Sequence, residues 1–114
     1  DLFEVPVSTV SILHLKFPMA GGAYFRIIPY WIFRTLVAKK LKQDGFYNFY
    51  LHPWEFEPEQ ERIKNLNLNY KLRHYYNLNQ THSRLNRLIR YLKSVNTRFL
   101  TLSEYVLQSS GKST

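Results

Sequence analysis

The stretch PYWIFRTLVAKKLKQDGFYNFYLHPWEF, residues 29–56, sets two patterns back to back. In its first half Ile32, Phe33, Leu36, Val37 and Leu41 fall on one stripe of a 3.6-residue repeat, with Arg34, Lys39 and Lys42 largely off it; that spacing predicts a helix. Pro29 suits a first helical position because its missing N–H would have had no intrahelical partner, and Gly45 suits a left-handed stop after basic residues. The aromatic run of residues 46–56 follows at once and reads as a largely buried strand that Pro53 ends. His52 is then expected at the C-terminal end of that strand, where α/β folds tend to place their chemistry.

Working outward, the β-branched residues of 2–7 and 9–15 predict two further strands, with Pro6 marking an edge or an end and Gly21-Gly22 a tight turn. Residues 57–77 form a polar, Asn-rich excursion with a short helix expected around 66–75. Asn79 can cap a second main helix with the stripe Leu85, Leu88, Ile89 and Leu92, ending near 94–96. A short strand is expected at 99–102, and Ser103-Glu104 can start a last helical turn through Leu107. The order predicts one α/β domain over residues 2–107 with about four strands, two main helices and a right-handed parallel crossover, followed by a flexible tail at 108–114.

Sixteen Lys+Arg against eight Asp+Glu give a net charge of +8 in 114 residues. Such charge could attract nucleic acid, anionic lipid or an acidic polysaccharide. The basic residues are dispersed, at Lys39, Lys40, Lys42, at Lys64, Lys71, Arg73, and at Arg84, Arg87, Arg90, Lys93, as solvated helix faces usually are, and no nucleic-acid motif accompanies them. The longest apolar run is interrupted by Arg26, Arg34 and Lys39, which argues against a membrane span. There is no cysteine, hence no disulfide framework or thiolate zinc site. The chain opens on Asp1 inside an apolar run rather than on an initiator Met or a signal pattern, so it is expected to be cut from something longer.

Four segments carry a resemblance: FEVPVS at 3–8, GGAYFRIIPY at 21–30, FYLHPWEF at 49–56 with Pro58-Glu59-Gln60, and RHYYNL at 73–78. Together they resemble the C-terminal region, formally of unknown function, that follows the catalytic core of NodB-like polysaccharide deacetylases from bacterial exopolysaccharide gene clusters. The resemblance implies a distorted (β/α) barrel, of which this chain would be the completing fragment. It also implies hydrolysis of N-acetyl groups on an exopolysaccharide, with a zinc-like divalent metal activating water in the full-length protein. Within it Tyr50-Leu51-His52 takes the place of the late motif whose histidine protonates the leaving amine, with Tyr where Leu is more usual. Glu4 stands where an acidic residue often orients that histidine.

Imidazole suits such a proton transfer because it works near neutral pH. Trp54 can stack on a sugar ring. Arg26 could reach a substrate oxygen through its fork, or equally tie the helix start to Glu4 or Glu55. Tyr24 and Glu55 complete the expected substrate contacts. The expected metal ligands are absent: the only aspartates are Asp1 and Asp44, and the histidines, His14, His52, His74 and His82, show no His-x-x-x-His. No metal site is therefore expected in this chain, and the isolated chain is expected to be inactive. The partners expected are a polysaccharide substrate and a missing N-terminal catalytic half or another chain, with a homo-oligomer also open; bacterial cytoplasm and cell envelope both fit. The rival reading is a non-enzymatic module that binds polysaccharide or nucleic acid.

Overall fold

The computed structural model describes residues 2–111, 54 % of which are helical. Its order is β1 (Thr9–Ile12), β2 (Leu15–Pro18), α1 (Gly22–Ile27), α2 (Tyr30–Asp44), a 3₁₀ turn (Pro53–Phe56), α3 (Leu68–Tyr75), a second 3₁₀ turn (Leu78–Gln80), α4 (Thr81–Ser94) and α5 (Leu102–Ser110). The two strands form an antiparallel hairpin in which Ile12 faces Leu15 and Thr9 faces Pro18. The expected four-strand barrel fragment is therefore not the fold, and the parallel crossover is absent from the described residues.

The reason lies in where the backbone N–H groups go. In residues 46–52 they find acceptors at alternate positions only: Asn48 donates to Ser8 Oγ at 2.8 Å, Tyr50 to the Ala20 carbonyl at 2.8 Å and His52 to Glu55 Oε1 at 3.0 Å. Those acceptors are a hydroxyl, a loop carbonyl and a carboxylate. The segment is extended but belongs to no sheet. Residues 2–7 likewise stay outside any ladder, and Pro6 offers no N–H to one. The strand expected at 9–15 breaks after Ile12, because Leu13 and His14 take left-handed backbone (φ 49° and 66°) and close a two-residue hairpin turn.

The main helix matches its pattern. α2 runs from Tyr30 with Pro29 as its N-cap, and Gly45 ends it in left-handed conformation (φ 73°), its N–H donating to the Leu41 carbonyl at 2.9 Å. Phe33 and Val37 are fully buried and join Val10, Met19, Phe25, Leu88 and Leu92 in one core. Phe25, Phe33 and Phe49 meet edge to face with centroids 5.1–6.3 Å apart. Phe49 thus packs on the core although its backbone is not in a sheet. Tyr47, beside it, donates its hydroxyl to the Met19 carbonyl at 2.5 Å.

Residues 99–102 are not a strand. Thr101 instead caps α5: its hydroxyl accepts from the Glu104 N–H at 3.2 Å, and the Glu104 carboxylate accepts from the Thr101 N–H at 2.7 Å. The helix continues through Ser110, so residues 108–110 of the expected tail are helical, while 112–114 lie outside the described residues. The backbone and side-chain hydrogen bonds from Thr101 hold the Glu104 carboxyl below its ordinary value. The support they lend α5 is complete above the ordinary carboxylate value and is lost as pH falls through the lowered one. Helicity assigned to α5 by NMR should therefore drop on acidification below the ordinary carboxylate range, and Glu104→Gln, which removes the titrating group, should abolish that pH dependence; an unchanged α5 at low pH would contradict it.

Candidate functional site

Two buried arginines organise this end of the molecule. Arg84 on α4 donates to the Arg26 carbonyl at 3.4 Å and to the Ile28 carbonyl, covering the C-terminal end of α1, while its guanidinium lies 5.5 Å from the Phe25 ring. Arg26, on α1, does the same for α3: it donates to the carbonyls of Arg73 (2.8 Å), Tyr76 (2.9 Å) and His74 (3.3 Å). A cation is well placed there, since the last carbonyls of a helix lack partners and carry its negative end. Burial lowers the pKa of both guanidinia; for Arg26 the Glu55 carboxylate opposes that shift. Both stay charged.

Arg26 is 0 % exposed, and its Nε lies 3.3 Å from Glu55 Oε2, an ion-pair contact out of line for a hydrogen bond. Of the two roles open to Arg26 in the sequence, substrate fork or internal tie, the geometry thus displays the tie to Glu55. Glu55 is itself buried, and its other oxygen, Oε1, accepts from the His52 N–H at 3.0 Å while the Glu55 N–H donates to the His52 carbonyl at 3.0 Å. Both backbone groups of His52 are therefore held by Glu55. Pro53, fixed in φ, starts the 3₁₀ turn immediately after it.

Gly22 makes this arrangement possible. A Cβ at that position would fall 1.6 Å from Glu55 Oε2, so the carboxylate occupies the space a side chain would need. The Gly21-Gly22 pair, read from sequence as a turn, is the entry to α1 with Gly21 as N-cap. Gly22→Ala should displace Glu55 and cost about 1–3 kcal/mol by overpacking. Chemical denaturation would show it, and a variant as stable as the parent would refute the close approach.

The imidazole of His52 is exposed between two aromatic rings. Tyr50 lies edge-on at 5.5 Å, and Trp54 is near parallel at 6.0 Å, with the Arg26 guanidinium 5.5 Å from the Trp54 ring. His74 of α3 also lies against Trp54, at 5.0 Å, and Tyr70 lies 6.4 Å from His74. Sequence reasoning placed His74 in an exposed polar role and left Tyr70 without one; the signal for them was their i, i+4 spacing on one helix face. The other expected site residues are distributed differently. Tyr24 is half-buried on α1, one turn before Ile28. Glu4 is exposed on the N-terminal arm, whose Pro6 and Ser8 contact Asn48; it is not a partner of His52 in any hydrogen bond or ion pair of the described residues.

The metal that the resemblance implies belongs to the full-length protein and was not expected to have its site in this chain. Among the described residues no three His, Asp or Glu side chains gather where they could hold one ion, and three protein ligands are the usual minimum for a catalytic zinc. A groove of about 1080 Å³ lies between α4 and the C-terminal segment, lined by Phe46, Leu88, Leu92, Phe99 and Tyr105 with no histidine or carboxylate, and reaches the cluster only at Tyr50. The ring cluster is where exposed titratable chemistry and a buried polar anchor coincide.

The class these observations define is a small, mostly helical domain that presents an exposed imidazole, on an anchored backbone, among aromatic rings. The chain belongs to the DUF3473 family, a domain of unknown function, whose model matches residues 1–106. No curated protein matches it, and no solved structure does. No helix among the described residues is long and apolar enough to cross a membrane.

Proposed function

We propose that this domain is the substrate-side module of a polysaccharide deacetylase-like protein, in which His52 gives a proton to the amine leaving an N-acetylated sugar. The observation that carries the reading is the placement of His52: an exposed imidazole beside Trp54, on a backbone whose N–H donates to the buried Glu55 carboxylate and whose C=O accepts from the Glu55 N–H. An amide C–N bond breaks poorly unless the nitrogen is protonated as it departs, and a positioned imidazole contributes most when it cannot wander. Trp54 offers a ring to the apolar face of a sugar. Arg26 and Glu55 act in this reading as positioning residues rather than substrate contacts.

In this reading a metal that activates water would be held by another polypeptide segment, because among the described residues no three such ligands gather. A partner is supported by the surface. The chain exposes 8767 Å², whereas a compact monomer of 13.7 kDa should expose about 6,600 Å². Part of that surface is apolar, with Leu2, Phe3, Leu13 and Leu15 exposed by more than half along the arm and hairpin.

The same ring cluster without a ligand set favours, as a second reading, a polysaccharide-binding module with no chemistry of its own. Turnover separates the two. In the protein that holds both this domain and the metal ligands, His52→Gln should lower kcat roughly 10²-fold or more with KM little changed. An unchanged kcat would leave only the binding reading.

A further inference from the structure

We infer that α3 supplies a second, distal glycan subsite, formed by Tyr70 and His74 and continuous with Trp54, so that the domain grips a linear oligosaccharide over several sugar units. The inference rests on the polysaccharide reading above and extends it to residues that reading does not use. Five rings follow one another from the 46–52 segment onto α3: Tyr50, His52, Trp54, His74 and Tyr70, at successive centroid distances of 5.5, 6.0, 5.0 and 6.4 Å. Each step is comparable to the width of one pyranose ring. The series joins segments about twenty residues apart in sequence, and the Arg26 fork that binds Glu55 and the Arg73, His74 and Tyr76 carbonyls is what brings them together.

The chemistry of the strip selects the ligand. A pyranose has C–H faces and a rim of hydroxyls, and wants apolar ring surface alternating with hydrogen-bonding tips. Tyr50 and Tyr70 supply hydroxyls and His74 ring nitrogens, and none of these has a hydrogen-bond partner among the described residues, so all are free to meet such a rim. Tyr70 is 56 % and Tyr50 46 % exposed, so ring surface is accessible at both ends. Exposed aliphatic side chains stand both on the hairpin, at Leu13 and Leu15, and on α3, at Leu68 and Leu72, so the choice of a glycan rests on the rings and their unpartnered polar tips.

The test is equilibrium binding of the chain to N-acetylglucosamine and to its β-linked tetramer, followed by NMR titration. The tetramer should bind at least about tenfold tighter than the monosaccharide, because linked subsites act together. Tyr70→Ala and His74→Ala should each remove most of that gain while leaving monosaccharide binding in place; Tyr70→Gln and His74→Gln, which keep helical propensity, carry the test should an alanine disturb α3. No binding, equal affinity for the two sugars, or folded variants that bind the tetramer unchanged would overturn the subsite. The measurement involves no turnover, so the proton-donor role of His52 and the α3 subsite can each fail alone.

Discussion

Replacing Arg26 by leucine should remove about 3–5 kcal/mol of stability, a large share of the roughly 5–15 kcal/mol a domain usually has. The substitution leaves the Glu55 carboxylate buried without its counter-charge and the Arg73, His74 and Tyr76 carbonyls without their donor. Buried groups stripped of partners cost far more than the bonds were worth while made. Arg26→Lys keeps the charge but cannot fork to three carbonyls, so it should fall between the two. Adding Glu55→Leu to Arg26→Leu should recover part of the loss, because the unpaired carboxylate goes while the unpaired carbonyls stay. Thermal unfolding checks the series, with the leucine variant melting roughly 10–30 °C lower. A loss below about 1 kcal/mol would place Arg26 among ordinary surface pairs and remove it as the joint between α1, α3 and the His52 turn.

Much of the helical part of this fold can be read from residues. The stripe from Ile32 to Leu41 and the stop at Gly45 specify α2, because a 3.6 repeat and a left-handed glycine are local signals. The helix expected near 66–75 is α3, capped by Asn67, whose side chain accepts from the Tyr70 N–H. The strands were misread for a reason that is not local. The aromatic content of residues 46–52 describes a chain that is extended and packs against a core, and it is extended and half-buried; whether such a chain enters a ladder depends on a neighbour, which no property of the segment supplies.

The hairpin turn was hidden by Leu13 and His14, since left-handed turns are usually signalled by Asn-Gly. The start of α5 could have been found: Thr101-Leu102-Ser103-Glu104 is a capping-box pattern, and it outweighs the β-rich residues before it. At the site, the resemblance singled out His52, Trp54, Glu55 and Arg26, which the structure brings together. It held His74 only as a member of the 73–78 segment, without a role, and did not include Tyr70, because their approach to Trp54 is set by the Arg26 fork across the long Asn-rich excursion.

The larger functional effect is expected at His52. A general acid acts while the C–N bond breaks, so its loss raises that barrier and hardly touches the ground state. The requirement depends on the leaving group: an amine must be protonated to leave, whereas an aryl oxide leaves unaided. The effect of His52→Gln should therefore differ between an N-acetylated oligosaccharide and an acetyl ester of a good phenolic leaving group. Melting temperature, measured alongside, should stay near the parent's, because the ring is exposed and the lock on this backbone comes from Glu55.

The measurement that tests the central claim most directly is this ratio of kcat losses, made in the protein that also holds the metal ligands. Proton donation by His52 predicts a loss of roughly 10²-fold or more on the acetamido sugar and little on the activated ester. Equal losses on both substrates, or none on either, would contradict it.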